Sequence, residues 1–226
     1  MIGTKRDLEI LRVDYEQQVI ALRQVAKYFF RGNLSNAAFR IKQLVLAGLL
    51  KPAVLSSRLP IKLFQLTPSG VRMARTVTHL QVPQRKILSL ATLEHDLLVT
   101  DVRLRLKQLW DFAWLPEKVL KAAEYRQIPD GICLFRSGKK IAIELENSAK
   151  GSRRYLSIWK RWVGTETFLV LYVATNPRLA KFLRQLILQA PAGVRLGVVE
   201  WSQLDDYTPT VWTPGGELEL FGRREF

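Results

Sequence analysis

The spacing of apolar residues predicts a run of short helices in the first third of the chain. A first helix is predicted over residues 5–14 and a second over residues 21–30. Gly32 and Asn33 then break the pattern, and Ser35 is expected to cap a third helix that runs from Asn36 to Gly48. This third helix is predicted to bury Ile41, Leu44 and Val45 and to expose a polar stripe made of Asn36, Arg40 and Gln43.

A strand hairpin and a further helix are predicted to follow. Residues 49–55 and 61–66 read as strands and residues 56–60 as the turn between them, and Thr67 and Pro68 are typical of a helix start. Two short helices joined by a tight turn, followed by a hairpin, favour a winged helix-turn-helix over residues 1–82. The run AGLL, the hairpin and the motif FQLTPSG resemble bacterial winged-helix regulators across most of residues 15–80.

From Leu93 onward the pattern changes to alternating strands and helices, and residues 81–92 read as the connection between the two domains. Strands are predicted over residues 112–115, 131–135, 140–146, 168–174 and 195–201, and helices over residues 93–110, 152–163 and 178–189. Trp212 to Phe221, split by Gly215 and Gly216, is expected to form a terminal hairpin. The fold class expected overall is α/β, with a mixed sheet in residues 83–226.

Charge is distributed unevenly along the chain. The net charge is +15, yet no Asp or Glu occurs between Gln17 and Leu93, where there are twelve Lys and Arg residues. A surface of this kind repels itself unless a polyanion neutralises it, and phosphate backbones do so by releasing counterions. The pattern favours double-stranded DNA as partner over RNA, anionic lipid or a merely soluble basic surface. Within this region, the candidates for base contacts are Asn36, Arg40 and Gln43, and those for phosphate contacts are Arg58 and Lys62. An ordinary solvated helix face is the alternative for each of them.

Cysteine content and hydropathy restrict the compartment. A single cysteine, Cys133, permits no internal disulfide. No apolar stretch approaches the length of a membrane span, and the first residues lack the apolar core of a signal peptide. We therefore expect a cytoplasmic protein without a membrane partner.

Candidate chemistry is concentrated in residues 128–150. Ser137 and Gly138 are expected to turn a hairpin whose second strand places Glu144 and Glu146 on one face, with Asp130 near them on the partner strand. Closely spaced carboxylates are costly to bury without a cation or proton. Oxygen ligands of this kind suit Mg²⁺ or Mn²⁺, and Lys150 could then steady negative charge. The alternative is an edge strand whose surface carboxylates pair with Lys139, Lys140 or Lys150.

These residues resemble the PD-(D/E)xK nuclease core, in which Pro-Asp precedes a hairpin and an acidic-x-Lys strand. Pro129-Asp130 and Glu144-x-Glu146 match this pattern, except that Glu146 replaces the usual lysine and Lys150 would have to supply it. The resemblance implies a restriction-endonuclease-like α/β domain over residues 83–226. It assigns Asp130, Glu144 and Glu146 to the metal and Lys150 to catalysis.

The order of these motifs along the chain resembles the replication-relaxation family, which includes the MOBC class of plasmid mobilisation relaxases. The match consists of a winged helix, a helix carrying His95-Asp96-Leu97, the PDG motif and the Glu-x-Glu strand, across most of residues 15–175. It implies binding at a specific duplex site and metal-dependent nicking, with other relaxosome proteins as partners and a homodimer as one form. His95 matches the family's helix histidine and is a catalytic candidate, with a structural role as its alternative.

The helix after the Glu-x-Glu strand carries two further kinds of candidate. Arg153 and Arg154 belong to a basic rim suited to phosphate contacts. Tyr155 could be proposed as a covalent nucleophile, but its spacing with Ile158, Trp159 and Trp162 favours core packing.

Three functions remain open from the sequence. The first is a DNA nickase or relaxase. The second is a catalytically inactive replication regulator or relaxosome accessory protein. The third is an endonuclease subunit of a transposition complex.

Overall fold

In the computed structural model, which describes residues 3–53, 61–84, 88–206 and 209–219, the chain divides into two units, Met1–Asp101 and Val102–Phe226. Both units combine helices with strands, which confirms the expected α/β class. The domain boundary expected from sequence, between residues 82 and 83, stays a prediction.

The first unit contains helices and a small sheet. Its elements are α1 (Lys5–Gln17), β1 (Ile20–Ala21), α2 (Leu22–Phe29), α3 (Leu34–Leu46), β2 (Leu50–Pro52), β3 (Leu63–Leu66) and α4 (Pro68–Ala74), followed by a 3₁₀ turn (Arg75–Val77). The three strands are antiparallel in the order β1-β3-β2. Helix α5 (Leu90–Leu109) begins in this unit.

A four-residue turn joins α2 to α3. Gly32 takes a positive φ of 82°, where glycine is favoured, and its N–H donates to the carbonyl of Ala26. Asn33, rather than Ser35, is the N-cap, because its Oδ1 accepts from the N–H of Asn36 at 2.9 Å. Ser35 therefore lies inside the helix, which begins two residues earlier than expected.

The hairpin and the following helix match their predicted positions. Strand β2 pairs with β3 from Leu50 opposite Leu66 to Pro52 opposite Phe64. Thr67 caps α4, accepting from the N–H of Gly70 at 3.1 Å, and Pro68 occupies the first turn. The predicted turn at residues 56–60, with Arg58, lies outside the described residues.

The second unit is built on a mixed sheet of seven strands. The strands are β4 (Ala113–Pro116), β5 (Gly131–Leu134), β6 (Lys140–Glu146), β7 (Thr167–Ala174), β8 (Leu196–Glu200), β9 (Thr210–Thr213) and β10 (Gly216–Glu219), and they lie side by side in reverse numerical order. The helices are α6 (Glu117–Ala122), α7 (Ser152–Trp162), α8 (Pro177–Ile187) and a 3₁₀ turn (Ser202–Asp205).

Strand direction follows from the connections. β6, β7 and β8 are parallel and are joined by α7 and α8, whereas the pairs at both margins of the sheet are antiparallel hairpins or meanders. The predicted strands, all three predicted helices (α5, α7 and α8) and the terminal hairpin are confirmed to within a few residues. Helix α6 was not expected, because its six residues are too short to show a helical repeat.

The alternation of side chains along β6 places its two faces in different surroundings. Ala142 packs in a core cluster with Tyr155 and Trp159 of α7 and with Leu183 of α8. Glu144 and Glu146 share this face with Ala142, as the sequence predicted. Ile141, Ile143 and Leu145, on the other face, are also buried, so β6 is covered on both sides.

Two small residues of β5 are enclosed by their neighbours. A Cβ on Gly131 would lie 2.0 Å from the Trp114 ring, so only glycine fits beneath that ring. Cys133 is fully buried, and burial raises the pKa of its thiol well above the ordinary value.

Candidate functional site

Asp130 immediately precedes strand β5 and continues the backbone hydrogen bonding between β5 and β6. Its N–H donates to the carbonyl of Ile143 at 3.1 Å, and its Oδ2 accepts from the N–H of Leu145 at 2.7 Å. Gly131 is paired with Ile143, so Asp130 comes next to Glu144 across the two strands. The carboxylate thus takes a position that a backbone carbonyl would occupy in a longer strand.

Glu144 has an unsatisfied carboxyl group. Its Oε1 is buried and has no hydrogen-bond partner in the described part of the chain. Burial is the largest cause that raises the pKa of Glu144 well above its usual range, followed by the negative charge of Asp130. Glu146 and Glu117 raise it further, whereas the ammonium of Lys150 lowers it.

Glu146 is buried and paired. Lys150 Nζ donates to its Oε1 at 2.5 Å, and the same ammonium lies 5.7 Å from the centre of the Tyr155 ring. Burial raises the pKa of Glu146, and the hydrogen bond from Lys150 opposes that rise. Glu146 therefore has its own counter-ion, whereas no cationic side chain among the described residues forms an ion pair with Glu144.

Glu117 also belongs to the carboxylates around Glu144, although the sequence analysis did not single it out. It opens the unexpected helix α6, pairs with Lys121 at 2.6 Å, and its charge contributes to the raised pKa of Glu144. It follows a strand end by one residue, but no motif marks it. Only the fold brings it to Asp130 and Glu144.

The carboxylates of this site fit the Mg²⁺ or Mn²⁺ ion expected from sequence only in part. No three His, Cys, Asp or Glu side chains within the described ranges are grouped so that they could hold a metal ion. Mg²⁺, however, is commonly bound by one or two carboxylates together with substrate phosphates and water. Asp130 and Glu144 fit that smaller set, because Glu144 has an unsatisfied oxygen beside a second carboxylate. Glu146 fits less well, because Lys150 already occupies its Oε1.

Helix α7 starts at Ser152, two residues after Lys150, and its first turn is basic. Arg153 and Arg154 are exposed in its first turn, where backbone N–H groups also favour an anion. Tyr155 is fully buried against Trp159, Tyr172 and Phe182, so the packing interpretation is confirmed. Its hydroxyl accepts from the N–H of Lys150, and burial raises its pKa, which disfavours a nucleophilic phenolate.

His95 lies on α5 in the first unit, partly exposed and with interactions of its own. Its catalytic role stays a prediction.

The polar residues predicted to contact bases are not all among the most exposed residues of α3. Asn36 is exposed, Gln43 is partly exposed, and Arg40 is directed to the fully buried carboxylate of Asp7. Arg40 Nε donates to Asp7 Oδ1 at 2.6 Å, and its Nη2 bonds to Oδ2. The Arg40 guanidinium, which was predicted to contact a base, is therefore already bound in a bidentate ion pair.

The outermost line of α3 carries Ser35, Phe39, Lys42 and Leu46 instead, all exposed. The sequence did not predict this line, because polar residues were expected on the exposed face of the helix and apolar residues in the core. Of the two hairpin candidates, Lys62 is exposed and Arg58 lies outside the described residues.

Comparisons of the chain with protein-family models, with characterised proteins and with solved structures give no match. Within the described residues, no helix is long and apolar enough to cross a membrane.

Proposed function

We propose that this chain is a DNA-binding protein of a plasmid or mobile element that recognises a specific duplex site through its first unit. The observation that carries the proposal is the set of exposed cationic residues in the first unit, which extends from α2 through α3 and the hairpin to α4 and the 3₁₀ turn after it. Eight described Lys and Arg residues of the acid-free window are exposed: Arg23, Lys27, Arg31, Lys42, Lys51, Lys62, Arg72 and Arg75. A helix pair joined by a four-residue turn, followed by a β-hairpin, is the arrangement that winged helix-turn-helix proteins insert into DNA.

The salt dependence of binding tests this proposal. Each phosphate contact contributes about −0.9 to the slope of log K against log[salt], so three to five contacts give a slope of about −3 to −5. We expect this slope from fluorescence anisotropy of a labelled duplex carrying the native flanking DNA. Lys42→Ala should reduce the slope by about one, while Lys181→Ala, an exposed change on α8, should leave it unchanged. A flat dependence would contradict phosphate neutralisation.

Phosphodiester cleavage by the second unit is a second candidate function. It is favoured by Glu144, which has an unsatisfied buried oxygen and lies next to Asp130 across the two strands, and by the exposed Arg153 and Arg154 in the first turn of α7. Mg²⁺ or Mn²⁺ held by these two carboxylates would supply a polarised phosphate and a more acidic water. Asp130 and Glu144 would hold the cation, Arg153 and Arg154 would orient the phosphate, and Lys150 would lie near developing charge.

Supercoiled plasmid carrying the native flanking DNA separates the candidates for the second unit. Cleavage predicts open circles with the wild type and Mg²⁺ or Mn²⁺, and none with Glu144→Gln. Glu166→Gln is the matched control, because Glu166 is exposed and pairs with Lys140 away from the carboxylates. If neither wild type nor variant nicks DNA that both bind, the second unit acts as a scaffold of an accessory protein or as a subunit that awaits a transposition partner.

A further inference from the structure

The exposed residues Ser35, Phe39, Lys42 and Leu46 form a line of apolar and polar side chains along the outer face of α3. At 100° per residue, positions 35, 39, 42 and 46 fall within about 60° of one another on the helix surface. Ala37, Ile41 and Leu44, the buried residues of the helix, lie on the opposite side. The line therefore points directly away from the core of the first unit.

Phe39 is the largest side chain of this line and 64% of it is exposed. Leu46, one helical turn beyond Lys42, is 71% exposed. Single exposed apolar residues are common on protein surfaces, but a phenylalanine and a leucine flanking a lysine on one helix face form a patterned surface. A partner for this face must offer apolar groups close to negative charge.

Charge complementarity restricts that partner further. Lys42 lies between the two apolar residues, and no acidic residue occurs from position 18 to position 92. The DNA major groove admits an α-helix, is bordered by phosphates, and contains one apolar group at its floor, the C5-methyl of thymine. Phenylalanine is among the side chains that contact this methyl group.

We propose that Phe39 contacts a thymine methyl in the major groove and thereby selects a thymine at one position of the DNA site. This inference rests on the proposed DNA binding and extends it to the identity of a base. Lys42 then lies between the apolar contacts, where it reaches a guanine edge or a phosphate, and Asn36 flanks the line. Arg40 stays in its ion pair with Asp7 and reads no base.

Replacing thymine by deoxyuridine tests the proposal, because it removes the methyl group and leaves the Watson–Crick edge intact. The preferred duplex is first selected from a random library with the full-length wild type. Each thymine of that duplex is then replaced singly, and binding is measured for wild type and Phe39→Ala. We expect one position at which deoxyuridine weakens wild-type binding about fourfold, the value for one buried methyl group. Phe39→Ala should bind the two duplexes equally at that position.

Leu188→Ala serves as the matched control, because Leu188 is 67% exposed in the second unit and its replacement should leave the thymine preference unchanged. Amide hydrogen exchange in α3 checks that Phe39→Ala is folded. If the wild type binds duplex DNA but the variant keeps the same response to deoxyuridine, the assignment of Phe39 is overturned while the proposed function stands. If the wild type binds no duplex, the proposed function fails and the assignment with it. A wild-type dimer that Phe39→Ala dissociates, with no effect of deoxyuridine, would assign the face to a second copy of the chain.

Discussion

The ion pair between Asp7 and Arg40 should contribute a large part of the stability of the first unit. Asp7 is fully buried and accepts from the N–H of Thr4 at 2.9 Å as part of a capping box at the start of α1. Burial is the largest influence on its carboxyl and raises the pKa, but the hydrogen bonds from Arg40 and Thr4 outweigh it. The net result lowers the pKa from 3.8 to about 2.

The magnitude follows from this shift. At about 1.36 kcal/mol per pKa unit, lowering the pKa from 3.8 to about 2 corresponds to roughly 2 kcal/mol of unfolding free energy at neutral pH. Asp7→Asn keeps the shape of the side chain and removes the charge, so we expect the first unit to lose about 2–3 kcal/mol at pH 7. Because the folded pKa is below the unfolded one, the contribution is present above about pH 4 and disappears as the pH falls through about 2. The difference between variant and wild type should shrink over the same range.

The assay must report on the first unit. All six tryptophans occur at residue 110 or later, so tryptophan fluorescence follows the second unit alone. Amide hydrogen exchange of α1 and α3, with far-UV circular dichroism in urea, reports on the affected helices. Glu9→Gln on α1 is the matched control, because Glu9 pairs with Arg12 at the surface at 3.7 Å and should contribute less than about 0.5 kcal/mol. A loss for Asp7→Asn as small as that of the control would refute the reasoning.

Three further predictions concern the second unit, where tryptophan fluorescence in urea is the suitable measurement. Gly131→Ala should cost about 1–3 kcal/mol, because the added methyl meets the Trp114 ring, and an unchanged midpoint would show that the ring moves freely. Glu144→Gln should stabilise the unit at neutral pH and lose this advantage as the pH falls, because the raised pKa of Glu144 makes its ionised form costly; a variant less stable at pH 8 than the wild type would contradict this. Lys150→Met should destabilise the unit by about 1–3 kcal/mol, since the buried Glu146 loses its counter-ion and keeps only the hydrogen bond with the Tyr155 hydroxyl, and stability equal to the wild type would show that this remaining bond suffices.

The carboxylate strand illustrates how much local pattern can predict. The bounds of β6 and the shared face of Glu144 and Glu146 followed from a two-residue alternation in the sequence, because strands with buried faces have a strict period. Asp130 could be placed near them because Ser137 and Gly138 predicted a short hairpin connection; in the structure the loop has three residues, between the paired Phe135 and Lys139. These features depend on residues that are close in the chain.

The remaining features depend on contacts between distant residues. Arg40 and Asp7 are 33 positions apart, and nothing near Arg40 in sequence shows that its charge is already paired. Glu117 reaches the carboxylate group only through the short helix α6. The exposed position of Phe39 could have been derived from the buried face of α3, but an apolar residue is ordinarily assigned to the core.

The enclosure of Cys133 has a practical consequence for chemical labelling. With its thiol buried and its pKa raised, the protein's single cysteine should be inert toward maleimides under native conditions. A cysteine introduced at an exposed position, such as Asn36→Cys on α3, would then be the one reactive thiol of the folded chain. A cleavage reagent or fluorophore attached there would map the molecular neighbourhood of that helix without any prior removal of native cysteine.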